Sequence, residues 1–113
     1  MPFIDSKITV SVDDAKKEEI KCRLGALMAS IGKSEAHLMV GIDDNYDLWM
    51  AGKKLEKGAY VEVSLLGDAG RAAYENMTKA ICDMFAEILG IPGEGVYVKY
   101  HPVTDWGWNG ANF

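Results

Sequence analysis

The order of strand and helix patterns is the feature that most constrains the fold of this chain. Residues 3–10 alternate apolar and polar side chains, as a half-buried strand does, and apolar residues at helical spacing follow them. A second strand pattern covers residues 37–42. The same order then returns as a strand at residues 59–66, a second helical pattern and a strand at residues 96–100. The sequence therefore predicts β-α-β, a polar linker and a second β-α-β.

The two β-α-β patterns correspond at an offset of about 58 residues. Gly32, which ends the first helical pattern, corresponds to Gly90, and Val40 corresponds to Val98. Such a period indicates an internal duplication within one domain of residues 1–113, with repeats at about 1–58 and 59–113. Strands joined by a helical crossover are parallel. We therefore predict an α/β (α+β) fold, with a four-stranded mixed sheet and both helices on one face.

This arrangement leaves the second face of the sheet without a covering layer. Phe3, Tyr60 and Leu66 fall on that face by strand alternation, so it is not wholly polar. Apolar sheet surface is normally covered. Because the chain has no third layer, we expect other copies of the chain to cover it.

Composition excludes several classes of function. The net charge of −5 gives no electrostatic reason to expect a nucleic acid or an anionic membrane as a partner. The first twenty residues lack the apolar segment of a signal peptide, and no apolar run reaches the ~18 residues of a membrane span. We therefore expect a cytoplasmic protein without membrane contact. Cys22 and Cys82, each in a predicted helix, are expected to be buried free thiols, and no spacing motif indicates a metal site.

The N-terminus carries a candidate for chemistry. Removal of Met1 before proline would leave Pro2 with a free secondary amine instead of an amide. Burial in an apolar site lowers the pKa of an amine toward neutrality, which suits a general base. Retention of Met1 would make the nitrogen an amide and abolish that role. The alternative is a terminus without chemistry.

Several segments, in order along nearly the whole chain, resemble the macrophage migration inhibitory factor and D-dopachrome tautomerase family of the tautomerase superfamily. They are Pro2-Phe3-Ile4, Gly32-Lys33, residues 58–66, Val96-Tyr97-Val98-Lys99-Tyr100 and residues 107–113. The resemblance implies the tautomerase fold and a homotrimer with active sites at subunit interfaces. It also implies keto–enol tautomerisation of α-keto acids such as phenylpyruvate, without a cofactor.

The resemblance further assigns roles to individual residues. Pro2 would be the base, Lys33 would hold the substrate carboxylate and favour enolate charge, and Tyr97 would come from the neighbouring subunit. From the sequence alone, Lys33 can also be an exposed lysine near a helix C-terminus, and Tyr97 an ordinary strand aromatic. The expected substrate-binding residues are Phe3, His37, Gly67, Lys99, Trp108 and Phe113.

Two departures from the family pattern bear on function. Lys99 replaces the asparagine of many members and leaves the substrate preference open. Residues 60–63 lack the Cys-x-x-Cys pair of the best-known members, so a thiol redox activity is not expected. Two alternatives stay open: a cytokine-like trimer that binds another protein and has vestigial activity, or a different small-acid reaction on the same proline.

Overall fold

Four long strands and two helices make up most of the chain in a computed structural model that describes residues 1–113. Two short hairpins complete the fold. The strands are β1 (Pro2–Ile8), β2 (Met39–Asp43), β3 (Trp49–Met50), β4 (Lys53–Lys54), β5 (Ala59–Leu66), β6 (Val96–Val103), β7 (Gly107–Trp108) and β8 (Ala111–Asn112). The helices are α1 (Asp14–Ala26) and α2 (Arg71–Leu89).

The long strands form one mixed sheet in the order β2-β1-β5-β6. Each β-α-β unit contributes a parallel pair, and β1 meets β5 antiparallel at the centre, with Asp5 opposite Glu62. The predicted four-stranded mixed sheet is therefore confirmed. Hairpins β3-β4 and β7-β8 lie outside the main sheet.

One face of the sheet and the helices enclose a single apolar core. Alternate residues of β1 and β5 are buried, whereas the residues between them are half-exposed. This alternation makes one face of the sheet the floor of the core, and the helices supply the opposite side. The largest fully buried side chains include Ile4, Ile8, Ile20, Leu24, Met28, Leu65, Met77, Ile81, Met84 and Phe85.

Local sequence signals fix the helix boundaries. The Asp13 carboxylate caps α1 by accepting from the Lys16 backbone N–H at 2.8 Å. A 3-10 turn, Met28–Ile31, follows α1 and ends at Gly32, whose φ is 69°. α2 ends at Gly90 with a φ of 66°. Both glycines adopt the left-handed conformation that favours this residue at a helix C-terminus, so both predicted ends are confirmed.

Several predicted boundaries of the strands were wrong. β1 ends at Ile8, and β6 continues to Val103 instead of ending at residue 100. His37 does not start a strand: Glu35–His37 is a 3-10 turn, in which the Ser34 hydroxyl accepts from the backbone N–H of residue 36 at 3.1 Å. The polar tail folds back as β7-β8.

The two thiols are free, but they are not both buried. Cys22 is exposed and Cys82 is half-buried. Cys22 follows Ile20 and precedes Leu24 on α1, and these two buried residues define the helix stripe that faces the core. Cys22 lies off that stripe, which the apolar character of its neighbours did not reveal. Neither helix has the length and apolar character needed to cross a membrane.

The outer face of the sheet is more charged than predicted. Phe3, Tyr60 and Leu66 lie on it half-buried, as expected. Between them runs a charged row in which Asp5 lies opposite Glu62 and Glu62 lies opposite Lys99. The outer face therefore has a charged row with apolar and aromatic side chains on either side of it.

Candidate functional site

A cavity of about 920 Å³ opens at the start of β1. It lies between the N-terminus, the turn before β2 and the segment that follows β6. Its lining residues are Met1, Pro2, Phe3, Ala36, His37, Leu38, Met39, Ser64, Val103, Asp105, Trp106, Gly107 and Trp108. The structure thus brings Pro2, Phe3, His37 and Trp108 of the expected site together.

Pro2 is buried at the first position of β1, opposite Leu65 of β5. Proline is tolerated at the start of a strand because it lacks an N–H to give to the ladder. The Met1 carbonyl accepts from the Leu66 N–H at 3.2 Å, so the sheet holds the chain up to its first residue. Desolvation and, secondarily, the Lys33 ammonium lower the pKa of the Met1 amine below its ordinary value. Loss of Met1 would leave the Pro2 amine next to the same surroundings.

Lys33 reaches the N-terminus because the left-handed Gly32 turns the chain back toward the sheet. Its ammonium donates to the Leu66 carbonyl at 2.6 Å. This bond uses one of three N–H donors and leaves two for a ligand. Gly67 follows with a φ of 81°, and its N–H donates to the Val103 carbonyl at 2.9 Å. The expected main-chain contact from Gly67 to substrate is thus occupied within the fold, and Gly67 does not line the cavity.

Aromatic rings form the wall of the cavity that the C-terminal segment supplies. His37 meets Trp108 edge to face, with ring centroids 5.5 Å apart. Trp108 stacks on Phe113 at 6.0 Å, and the Phe113 N–H donates to the Trp106 carbonyl at 3.0 Å. Phe113 therefore supports the wall from behind and is not among the lining residues.

Tyr97 and Lys99 do not reach this cavity within one protomer. Both fall on the outer face of β6, and Tyr97 is 63% exposed. Leu65, opposite Pro2, is also paired with Pro102, five positions beyond Tyr97. That separation is about 16 Å along a strand. Lys99 instead pairs with a carboxylate of the charged row at 3.9 Å, and this contact and the Tyr60 hydroxyl raise its pKa, with Tyr60 the larger cause.

Tyr97 borders a second, smaller cavity of about 270 Å³ beside the β3-β4 hairpin. Eight of its nine lining residues are apolar, and they include Trp49, which is 60% exposed. A monomer leaves this apolar surface in contact with water.

Sequence reasoning missed most of the other lining residues, and five of them are brought to the cavity by strand pairing or by the segment at the end of β6. Met39 and Ser64 lie opposite Phe3 on the two neighbouring strands. Once Pro2 starts the central strand, this pairing follows, but the register itself was not predicted. Val103, Asp105 and Trp106 join because β6 continues beyond residue 100, where the predicted strand ends. No group of three or more His, Cys, Asp or Glu side chains is arranged to hold a metal ion.

A two-layer sheet built from paired β-α-β units, with a buried proline next to a cavity at the N-terminus, defines the tautomerase class of fold. The model of the macrophage migration inhibitory factor (MIF) family matches residues 1–113, and the chain belongs to this family. The predicted resemblance is therefore confirmed.

Individual relatives agree with this assignment. The macrophage migration inhibitory factor of Xenopus laevis is 24% identical over 115 residues, covering 100% of this chain and 99% of the relative. The crystal structure of Leishmania major MIF2 is 32% identical and superposes with a TM-score of 0.92, covering 100% of this chain and 97% of that chain. A fused 4-OT wild type symmetric trimer is 24% identical with a TM-score of 0.84, covering 96% and 94%, and shows the fold alone.

Proposed function

We propose that this protein is a cofactor-independent keto–enol tautomerase of phenylpyruvate-like α-keto acids, with Pro2 as the general base after removal of Met1. The observation that carries the proposal is the position of Pro2, which is buried in the sheet and lines a cavity with apolar and aromatic walls. Membership of the MIF family supports a tautomerase-like role.

The chemistry follows from the residues around the N-terminus. The neutral Pro2 amine takes a proton from the carbon next to the keto group, and the electron pair moves to the carbonyl oxygen as an enolate. Lys33 binds the substrate carboxylate and favours the developing negative charge. The enolate oxygen then takes a proton from a nearby acid or water, which completes the enol. Desolvation and the Lys33 ammonium, which lower the pKa of the Met1 amine, would act on the pKa of a free Pro2 amine in the same direction, as suits a general base.

We further propose a homotrimer in which Tyr97 of one subunit completes the site of the next. The support is the place of Tyr97 in one protomer: exposed, distant from Pro2 and next to an apolar cavity with Trp49. Burial of such a surface against another copy removes it from water. Light scattering at micromolar concentration should give about three times the 12.4 kDa of one chain. A mass near that of one chain would contradict interface-built sites.

The test of the reaction is phenylpyruvate tautomerisation followed by ultraviolet absorbance, with protein whose loss of Met1 is established by intact mass. Pro2→Gly keeps a terminal amine but loses the ring, and we expect kcat/KM to fall by at least about 100-fold, the range of general-base contributions. Pro92→Gly, in the exposed loop after α2, is the matched control and should retain activity.

A second variant tests the amine itself. An N-terminal extension that keeps a residue before Pro2 makes its nitrogen an amide and should abolish activity. Activity that survives both changes would exclude Pro2 as the base. A trimer with free Pro2 and no activity on any small keto acid would favour the protein-binding alternative.

A further inference from the structure

One wall of the cavity combines a carboxylate with two indole rings. Asp105 and Trp106 follow the end of β6, and Trp108 ends strand β7. All three line the cavity that contains Pro2. Asp105 is the one acidic side chain among the lining residues, and no lysine or arginine is among them.

The charge of Asp105 is not neutralised within the protomer. Eight of the 17 acidic side chains form salt bridges, for example Asp5 with Lys7 at 3.2 Å and Asp44 with Lys17 at 3.8 Å. Asp105 takes part in no salt bridge. Its carboxylate accepts a single side-chain hydrogen bond, from the adjacent Thr104 hydroxyl at 3.3 Å. This exposed carboxylate therefore gives the wall a negative charge without a salt-bridge partner in the protomer.

The two tryptophans strengthen the preference of this wall for a cation. The face of an indole ring attracts an ammonium or guanidinium group within about 6 Å. Trp108 is held by the stack on Phe113 and by the edge contact with His37, so its ring is already positioned before a ligand enters. Ordering costs on binding are correspondingly small.

The site therefore has a positive charge at one end and a negative charge at the other. Lys33, bound to the Leu66 carbonyl, supplies positive charge beside the N-terminus, and Asp105 supplies negative charge at the aromatic wall. We propose, on the basis of the tautomerase function above, that the preferred substrate is an α-keto acid whose side chain ends in a cationic group. The keto-acid end meets Lys33 and Pro2, and the cationic end meets Asp105, Trp106 and Trp108.

The test measures exchange of the carbon-bound proton next to the keto group in deuterated water by proton NMR, which reports the base step for any keto acid. Two isosteric probes are compared: 2-oxohexanoate with a terminal trimethylammonium group, which cannot cyclise onto its own ketone, and the same chain with a neutral tert-butyl group. We expect the wild-type protein to prefer the cationic probe about two- to fivefold in kcat/KM, mainly through KM, since a cation–π contact at an exposed ring is worth roughly 0.5–1 kcal/mol.

Three variants make the test specific. Asp105→Asn should reduce the preference to about unity. Asp105→Glu keeps the charge and should keep the preference. Asp83→Asn removes one charge from the surface of α2, where it pairs with Lys79, and should leave the preference unchanged. Added salt should weaken the preference in the wild-type protein.

The outcomes separate this proposal from the function on which it rests. Pro2-dependent exchange with equal rates for the two probes, or a preference that Asp105→Asn leaves unchanged, would overturn the cationic substrate class alone. Absence of Pro2-dependent exchange with phenylpyruvate and both probes would overturn the tautomerase function and this proposal with it. Circular dichroism of each variant distinguishes a lost preference from a lost fold.

Discussion

The two β-α-β units end their helical segments with the same backbone and opposite chemistry. Gly32 has φ and ψ of 69° and 25°, and Gly90 has 66° and 24°. The next residue in the first unit is Lys33, whose ammonium lies beside the N-terminus, whereas in the second unit it is Ile91, fully buried in the core. One side chain at an equivalent turn therefore decides whether that turn contributes to a site or to the core.

The units also differ in the length of their crossovers. Phe3 lies opposite Met39, 36 residues later, and Ala59 lies opposite Val96, 37 residues later. A single offset of 58 would match Ile4 with Glu62, which lie on opposite faces of the sheet. An offset of 57 over the first strands matches Ile4 with Val61, both fully buried, and 58 still holds for the second strands. The extra residue explains why the repeats match poorly in sequence near the N-terminus.

The largest expected difference between the units concerns their core residues. Phe85 on α2 is fully buried, and Leu27, its counterpart after α1, is half-buried. Phe85→Ala should lower the free energy of unfolding by about 3–5 kcal/mol, because it leaves a large cavity. Leu27→Ala should cost about 1 kcal/mol, since less of its side chain leaves water on folding. Urea denaturation measures both, and equal costs would contradict the unequal packing of the two units.

The equivalent glycines allow a sharper comparison. Alanine at Gly32 would meet nothing within 4 Å, and alanine at Gly90 would meet only the Lys57 Nζ at an ordinary 3.7 Å, so the left-handed backbone sets the cost at both. Each substitution should lower stability by roughly 1–2 kcal/mol. Only Gly32→Ala should also raise the KM for phenylpyruvate, because it displaces Lys33. If the KM rose equally in Gly90→Ala, the increase would come from a general loss of stability and not from displacement of Lys33.

A buried hydroxyl distinguishes the inner face of the first unit from that of the second. Ser6 on β1 is fully buried and its Oγ has no hydrogen-bond partner, whereas its counterpart at an offset of 57 is the apolar Val63. Ser6→Ala should raise stability by about 1 kcal/mol, because an unsatisfied polar group leaves the core. Ser64→Ala, on the half-exposed outer face, should change stability by no more than about 0.5 kcal/mol. Thermal unfolding of both variants measures the difference, and a loss of stability in Ser6→Ala would show that the hydroxyl has a partner.

Most of the fold could be predicted from the sequence, because the signals for strands and for helix ends are local. Alternation identified the four long strands, and the two glycines marked the helix ends. The crossover rule then gave the parallel pairs without any tertiary information. Cys22 shows the limit of this approach, since apolar neighbours do not tell which side of a helix a residue occupies.

The site was harder to predict because it depends on register and on the tail. The sequence identified Pro2 and Lys33, and the structure joins Lys33 and the N-terminal residue Met1 through hydrogen bonds to the same residue, Leu66, although Lys33 does not line the cavity. The family pattern assigned Tyr97 to the site of the neighbouring subunit, and within one protomer Tyr97 lies about 16 Å along the strand from the level of Pro2. Lys99 lies about 10 Å from that level, a distance that only the strand pairing shows. Asp105 and Trp106 were missed because the extension of β6 is a tertiary outcome that residues 101–106 do not signal locally.

The smallest expected effect concerns one carboxylate in each unit at low pH. A hydrogen bond from the Tyr74 hydroxyl at 2.7 Å, and then one from the Gly70 N–H, lower the pKa of Asp68. The pKa of Asp44 is also lowered, chiefly by the Val12 N–H at 2.9 Å. A depressed pKa in the folded state stabilises the protein above the unfolded value of about 3.9, and this contribution is lost as the pH falls through the folded pKa. Tyr74→Phe removes the hydroxyl that is the main cause of the lowered pKa of Asp68, and it touches no hydrogen bond of Asp44. The phenylalanine ring can still stack on Tyr100.

The variant should therefore shift the carboxyl NMR titration of Asp68 upward toward its ordinary pKa and leave that of Asp44 unchanged. The decrease in melting temperature between about pH 5 and pH 2 should become shallower, because less carboxylate stabilisation remains to be lost. Both carboxylates are on the surface, so the change in melting temperature should be small and should shrink further in salt. An Asp68 titration that does not move in Tyr74→Phe would assign its low pKa to the backbone N–H of Gly70, and the two units would then lower their carboxylate pKa values in the same way.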